Sequence, residues 1–70
     1  MRVNEWKKDT RSISLQDVRP TTYSVAQLGS ERLFQIQTYS RSGNVCQTIQ
    51  FDRDRAAELV DILKREFHLD

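Results

Sequence analysis

Residues 34–51 of the chain, FQIQTYSRSGNVCQTIQF, contain two stretches of period two on either side of a short turn. Side chains of a strand point alternately to opposite faces, so Phe34 and Ile36 share one face of the first stretch. Ile49 and Phe51 share one face of the second in the same way. The Gly-Asn pair between the stretches has the chemistry of a hairpin turn. Together these features predict an antiparallel hairpin with one apolar face.

The segment that follows, FDRDRAAELVDILKREF, changes to a helical period. Its apolar residues form the stripe of an amphipathic helix and are Ala56, Leu59, Val60, Leu63 and Phe67. Asp52 precedes this stripe and is a suitable N-cap, because a carboxylate accepts hydrogen bonds from the free amides of the first helical turn. We therefore predict a helix over about residues 53–67.

Two further strands are predicted upstream of the hairpin. RSISLQDV alternates with Ile13 and Leu15 on one side, and TYSVAQLG is a second candidate, which ends at Gly29. Pro20 lies between them and marks a gap, since proline cannot donate to a ladder. The expected fold is α+β, an antiparallel sheet of three to four strands followed by one C-terminal helix packed on one face. Residues 1–11 are expected to form a flexible N-terminal arm, and residues 12–70 a single ββββα domain.

The composition is typical of one small globular domain, with 37% apolar and 30% charged residues in a chain of 70. No apolar run approaches the length of a membrane span, and the first residues do not have the pattern of a secretory signal. A cytoplasmic protein without a membrane partner is expected. The single cysteine, Cys46, cannot form a disulfide within one chain, and neither a metal site nor a cofactor is expected.

The charge is unevenly distributed along the chain. Residues 1–51 contain seven basic and four acidic residues, a balance of +3, whereas residues 52–70 contain four basic and six acidic residues, a balance of −2. The sheet is thus expected to be mildly basic and the helix mildly acidic, which permits a polyanionic partner. No motif of a catalytic centre is present, so an enzyme is not expected.

One face of the predicted sheet is polar but uncharged. With Phe34 and Ile36 directed towards the helix, the opposite face carries Leu33, Gln35, Gln37, Tyr39, Cys46, Thr48 and Gln50. Amides and hydroxyls can bind bases, sugars or peptide backbone, and an aromatic ring can stack on a base. The alternative is that this is an ordinary solvated face on which Tyr39 packs across the sheet.

Ten residues are predicted to contact nucleic acid. The candidates for base stacking are Tyr23, Tyr39 and Trp6, those for phosphate contact are Arg19, Arg32, Arg41, Lys7 and Lys8, and those for polar contact on the open face are Gln35 and Gln37. The arginines are equally compatible with a role in solubility, and Trp6 with packing over the sheet edge or a subunit boundary.

Residues 33–67, LFQIQTYSRSGNVCQTIQFDRDRAAELVDILKREF, resemble the single-stranded-DNA-binding domain of the positive cofactor four family of transcriptional coactivators. The resemblance lies in a strand of the type F-x-I-x-x-[WY], an apolar-x-apolar strand end and an acidic helix cap. These types fall at Phe34, Ile36, Tyr39, Ile49, Phe51 and Asp52. The resemblance implies a four-stranded curved sheet, a homodimer paired through the helices, and single-stranded nucleic acid along the sheets.

Two functions are predicted from these features. The first is binding of single-stranded DNA or RNA by a homodimer through the open sheet face, in transcription or DNA maintenance. The second is a protein-interaction adaptor or inhibitor of phage or mobile-element type, with a protein partner docked on the sheet face or edge strand. The expected core between sheet and helix is Ile36, Ile49, Leu59 and Leu63. A homodimer is also favoured, because Val60, Ile62 and Leu69 are left over after Ala56, Leu59, Leu63 and Phe67 face the sheet.

Overall fold

A computed structural model describes all 70 residues and contains three strands and one helix. The elements are β1 (Thr22–Leu28), β2 (Glu31–Tyr39), β3 (Val45–Phe51) and α1 (Arg53–Phe67). The strands form an antiparallel sheet in the order β1-β2-β3, and the helix follows β3. The predicted α+β fold is confirmed, with three strands. The helix is not long and apolar enough to cross a membrane.

The register of the sheet separates an apolar face from a polar one. Phe34 pairs with Phe51 and Ile36 with Ile49, so these four side chains lie on the same side. The pairs between them point to the opposite side, which we call the polar face: Gln35 with Gln50, and Gln37 with Thr48. The sharp turn between β1 and β2 requires the positive φ of 63° that Gly29 adopts.

The strand predicted over residues 11–18 does not form. Ile13 and Leu15, expected to point inward, are almost fully exposed. Asp17 instead makes ion pairs with Arg19 and Arg41 near the β2–β3 turn. These contacts hold the segment at one end of the sheet, and no part of it pairs with the outer edge of β1. Alternation alone predicted this strand, and alternation does not specify a pairing partner.

The first residues of the chain lie along the outer edge of β3. The Val3 amide donates to the Gln50 carbonyl, and the Gln50 amide donates to the Met1 carbonyl, both at 2.9 Å. Trp6 Nε1 then donates to the carbonyl of Arg55 in the helix at 2.9 Å. The structure thus places the predicted arm against β3 and α1, while its flexibility stays a prediction.

The core of the protein is small and differs from the expected one. Only Leu33 and Phe51 are buried, with 5% and 3% of their surface exposed. Phe51 lies in a row of rings, 5.7 Å from Trp6 and 5.3 Å from Phe34 between centroids. The side chains of this row come from the arm, β2 and β3, and they form the apolar centre of the molecule.

The prediction that Ile36, Ile49, Leu59 and Leu63 are buried together was wrong. The first three are half-buried and Leu63 is 40% exposed. The helix contacts the sheet mainly through β2 and contacts the arm through Trp6. Its apolar stripe therefore extends beyond the sheet surface available to cover it.

Leu33 was expected on the open face, and its burial corrects that prediction. By alternation it lies on the polar face with Glu31 and Gln35. Arg2 lies opposite Gln50 and makes an ion pair of 3.0 Å with Glu31 on this same side. Part of the polar face near the β1–β2 turn is thus closed to solvent.

The helix begins at the predicted N-cap. Asp52 has an extended backbone, and its Oδ1 accepts a hydrogen bond of 2.9 Å from the Arg55 amide. At the other end, His68 adopts φ 55° and its amide donates to the Lys64 carbonyl, which closes the last turn. The cap prediction is confirmed.

Replacing this cap is expected to weaken the fold measurably. Asp52→Ala should lower the free energy of unfolding by about 0.5 to 2 kcal/mol, because the Arg55 amide loses its acceptor. Asp52→Asn is the matched control, since asparagine caps helices about as well, and it should stay close to the parent. Urea denaturation followed by circular dichroism measures both. Equal losses in the two variants would contradict a capping role.

Candidate nucleic-acid interface

The polar face is organised by hydrogen bonds between directly opposed side chains. Gln35 pairs with Gln50 and Gln37 with Thr48 in the β2–β3 register. Gln50 Nε2 donates to Gln35 Oε1 at 2.7 Å, and Gln37 Nε2 donates to Thr48 Oγ1 at 3.3 Å. Each amide has further hydrogen-bonding capacity, since its oxygen can accept twice and its nitrogen can donate twice. The face therefore presents oriented donors and acceptors to a ligand.

Tyr39 extends this face at the end of β2. It follows Gln37 by two residues and so points to the same side. Its hydroxyl lies 2.8 Å from Thr22 Oγ1, across the sheet on β1. The ring is half-buried, and this hydrogen bond fixes its position.

Two predicted arginines converge beside Tyr39. Arg19 Nη2 and Arg41 Nη2 lie 2.9 Å and 3.2 Å from the same oxygen, Asp17 Oδ2. Arg19 Nη1 also donates to the Tyr39 carbonyl at 3.5 Å. We call Asp17, Arg19, Tyr39 and Arg41 the turn-end cluster.

The β2–β3 turn positions this cluster. The Gly43 amide donates to the Ser40 carbonyl at 3.0 Å, and Gly43 adopts φ 89°, which favours glycine. The turn carries Arg41 and faces the segment that carries Arg19. Between them is a cavity of about 430 Å³ lined by Arg19, Pro20, Tyr39, Ser40, Arg41 and Gly43.

The electrostatics of the turn-end cluster favour an anion. Two guanidinium groups share one carboxylate, so the cluster keeps one net positive charge. The Arg41 side chain is largely exposed, so a ligand can reach it from solvent. The Arg19 side chain is more enclosed and lies beside the same carboxylate oxygen. A phosphate oxygen has the same acceptor chemistry as Asp17 Oδ2.

The three predicted stacking residues do not share one surface. Tyr23 pairs with Ile36 and so lies on the apolar face, 73% exposed, with its ring stacked on Phe34 at 5.5 Å and 8°. Trp6 packs edge-on against Phe51 and is bonded to the helix backbone. Only Tyr39 lies on the polar face, so the structure separates the predicted stacking set.

The remaining basic candidates are also apart from the turn-end cluster. Lys7 Nζ lies 3.3 Å from Glu5 Oε1 within the arm, and Lys8 Nζ lies 3.3 Å from Glu66 Oε1 on the helix. Arg32 lies near the β1–β2 turn and lines an apolar cavity of about 240 Å³ that includes Phe34 and Phe51. These three side chains do not form one basic surface with Arg19 and Arg41.

Asp9 and Arg11 form a separate local ion pair in the arm. The side chain and then the backbone amide of Arg11 hydrogen-bond to the Asp9 carboxylate and hold its pKa below the ordinary value. The same side-chain bond raises the pKa of Arg11. Both groups are exposed, so this pair is a feature of the surface and not of the turn-end cluster.

Sequence reasoning missed Asp17 and Thr22. Asp17 makes ion pairs with Arg19 and Arg41. Thr22 forms a hydrogen bond with the Tyr39 hydroxyl. Both residues therefore hold predicted site residues in place. The local signal was the acid two residues before Arg19, which can pair with it along an extended segment. No group of three metal-ligating side chains is present, and Cys46 is exposed near the β-bulge between β2 and β3.

Comparisons with protein-family models, with curated proteins and with solved structures found no match to this chain. The resemblance to the positive cofactor four family therefore stays a prediction. The polar face and the turn-end cluster are the features of the molecule that indicate a function.

Proposed function

We propose that the protein is a cytoplasmic single-stranded nucleic-acid-binding protein that uses its polar face and turn-end cluster. The observation that carries this proposal is the convergence of Arg19 and Arg41 on one carboxylate oxygen beside Tyr39. Paired guanidinium groups suit phosphate, and the adjoining amides suit the edges of unpaired bases. A role in transcription or DNA maintenance is part of the same proposal.

The polar face and the turn-end cluster have different tasks in this proposal. Arg41 and Arg19 bind a backbone phosphate, which takes the place that Asp17 Oδ2 holds between them. Tyr39 offers part of its ring to the adjacent base, held by its bond to Thr22. The free amide donors and acceptors of Gln35 and Gln37 contact the next bases. Affinity arises mainly from charge, since the phosphate contacts release counterions.

The test is titration of labelled single-stranded and duplex DNA at two salt concentrations. Arg41→Ala should lower affinity for every sequence alike and reduce the salt slope by about one unit, because one phosphate contact is lost. Tyr39→Ala should weaken binding by about 1 to 3 kcal/mol through loss of stacking. Tyr39→Phe keeps the ring and should retain most of the affinity.

Two controls separate the turn-end cluster from general charge. Arg65→Ala removes the same charge from the helix and should leave both affinity and salt slope nearly unchanged. Asp17→Asn removes the carboxylate that competes with phosphate, so it should tighten binding and steepen the salt slope. Absence of single-strand binding at low salt, or equal losses for Arg41→Ala and Arg65→Ala, would overturn the proposal.

The second candidate is a protein-interaction adaptor or inhibitor. Its support is the free, uncharged outer edge of β1, which suits strand addition by a peptide. Binding through backbone hydrogen bonds depends little on salt, whereas phosphate contact depends on it steeply. The same two-salt comparison therefore separates the two candidates once a partner is in hand.

A further inference from the structure

The sheet has one occupied edge and one free edge. Residues 1–3 pair with the outer side of β3, so that edge is covered. The outer side of β1 has no strand beside it, and all seven residues of Thr22–Leu28 are exposed. This row of unpaired amides and carbonyls is a template for another strand.

The free edge lacks the features that normally prevent pairing. Natural sheets protect edges with charged residues, proline, bulges or very short strands. The sequence of β1, TYSVAQL, has no charged residue and no proline, and it pairs with β2 without a register shift. At seven residues it is not short. An edge of this kind is expected to be covered in the folded protein.

The surface area of one chain leaves enough exposed surface for a partner, and the unpaired segment with Ile13, Leu15 and Val18 also contributes to this area. The chain exposes 6434 Å². A compact folded monomer of this mass exposes about 4,600 Å², so the excess is roughly 1,800 Å². A standard interface needs about 800 Å² from each partner. The radius of gyration of 14.0 Å likewise exceeds the roughly 11 Å of a compact chain of this length.

We propose that a second copy of this chain covers the free edge, with the two β1 strands antiparallel about a twofold axis at Val25. Ser24 of one copy then opposes Ala26 of the other, and Tyr23 opposes Gln27. The strand is self-complementary in this register, because it has no charge to repel its copy and small residues meet beside the axis. The formal net charge of +1 per chain adds little repulsion.

This dimer joins two three-stranded sheets into one sheet of six strands. Antiparallel pairing keeps the alternation of side chains, so the polar faces of the two copies become one continuous surface. The turn-end clusters then lie at opposite ends of that surface, because each is next to Thr22 of its own copy. Pairing of the two β1 strands does not depend on nucleic-acid binding.

Charges introduced at the proposed contact test this register. The double variant Ser24→Lys, Ala26→Lys places like charges opposite each other twice across the axis, and it should be a monomer. The matched variant Ser24→Lys, Ala26→Glu places opposite charges there and should remain a dimer. Light scattering at tens of micromolar should give twice the 8.3 kDa chain mass for the parent and matched variant, and 8.3 kDa for the first.

A mixing experiment guards against simple misfolding. Chains with Ser24→Lys, Ala26→Lys mixed with chains carrying Ser24→Glu, Ala26→Glu should form a heterodimer, although neither pairs with itself. A monomeric parent, or identical masses for the two lysine-containing double variants, would overturn the proposal. Dimers that survive every β1 variant but dissociate on Val60→Lys would also overturn it, in favour of pairing through the helices.

Discussion

Phe51→Ala is expected to lower the free energy of unfolding by about 3 to 5 kcal/mol. Phe51 is the most buried residue, 3% exposed, and its ring contacts both Trp6 and Phe34. Truncation leaves a cavity where the arm, β2 and β3 meet. Because small domains have about 5 kcal/mol in total, the variant should keep about 2 kcal/mol or less, and its urea midpoint followed by circular dichroism should fall by more than half.

Phe67→Ala is the matched control for this prediction. Phe67 belongs to the same residue type but is 69% exposed near the end of the helix. Its truncation should change stability by no more than about 0.5 kcal/mol, as for other surface substitutions. Equal destabilisation by the two changes would contradict the assignment of the apolar centre to Phe51.

Leu33→Ala is expected to cost about 2 to 5 kcal/mol by the same measurement. Leu33 is the second buried residue, 5% exposed, and it lies on the side of the sheet that the Arg2–Glu31 ion pair also occupies. Removing its side chain leaves a space that the paired strands cannot close, because their backbone hydrogen bonds fix their separation.

Leu63→Ala makes the same chemical change on the helix, where the side chain is 40% exposed. It should cost clearly less than Leu33→Ala, since less apolar surface is removed from contact. A larger loss of stability for Leu63→Ala than for Leu33→Ala would contradict this assignment. It would support the core predicted from helical periodicity, in which Leu63 is buried between helix and sheet.

Elements defined by local pattern were predicted well. The hairpin follows from alternation on both sides of a turn, and the helix from its apolar stripe and from Asp52 at its start. These signals are local, because strand faces, turn chemistry and caps depend on residues only a few positions apart. The same reasoning over residues 11–18 predicted a strand that does not form.

Features that depend on distant residues were not predictable in this way. The pairing of Arg2 with Gln50 joins positions at opposite ends of the sequence, and the burial of Leu33 depends on what lies across the sheet. Secondary-structure periodicity assigns a face to a side chain but does not say which face is covered. The predicted face of Leu33 was therefore correct, but the prediction that this side chain is open to solvent was wrong.

In the candidate site, too, some residues were predicted from their type and position, and others depend on contacts between distant segments. Arg19, Tyr39 and Arg41 were all proposed from their types and positions, and the structure brings them together. Tyr23 was grouped with Tyr39, yet the register of β1 against β2 places it on the opposite face. The shared counterion Asp17 was missed, because its contact with Arg41 joins segments that are separate in sequence.

Trp6 makes the docking of the arm observable by fluorescence. It is the single tryptophan of the chain, and it lies where the arm meets the helix, bonded to the Arg55 carbonyl. Its emission wavelength therefore depends on release of the arm, whereas far-ultraviolet circular dichroism depends on the strands and helix. If the two signals change at the same urea concentration, arm and sheet unfold as one cooperative unit, and an earlier emission shift means that the arm is released first.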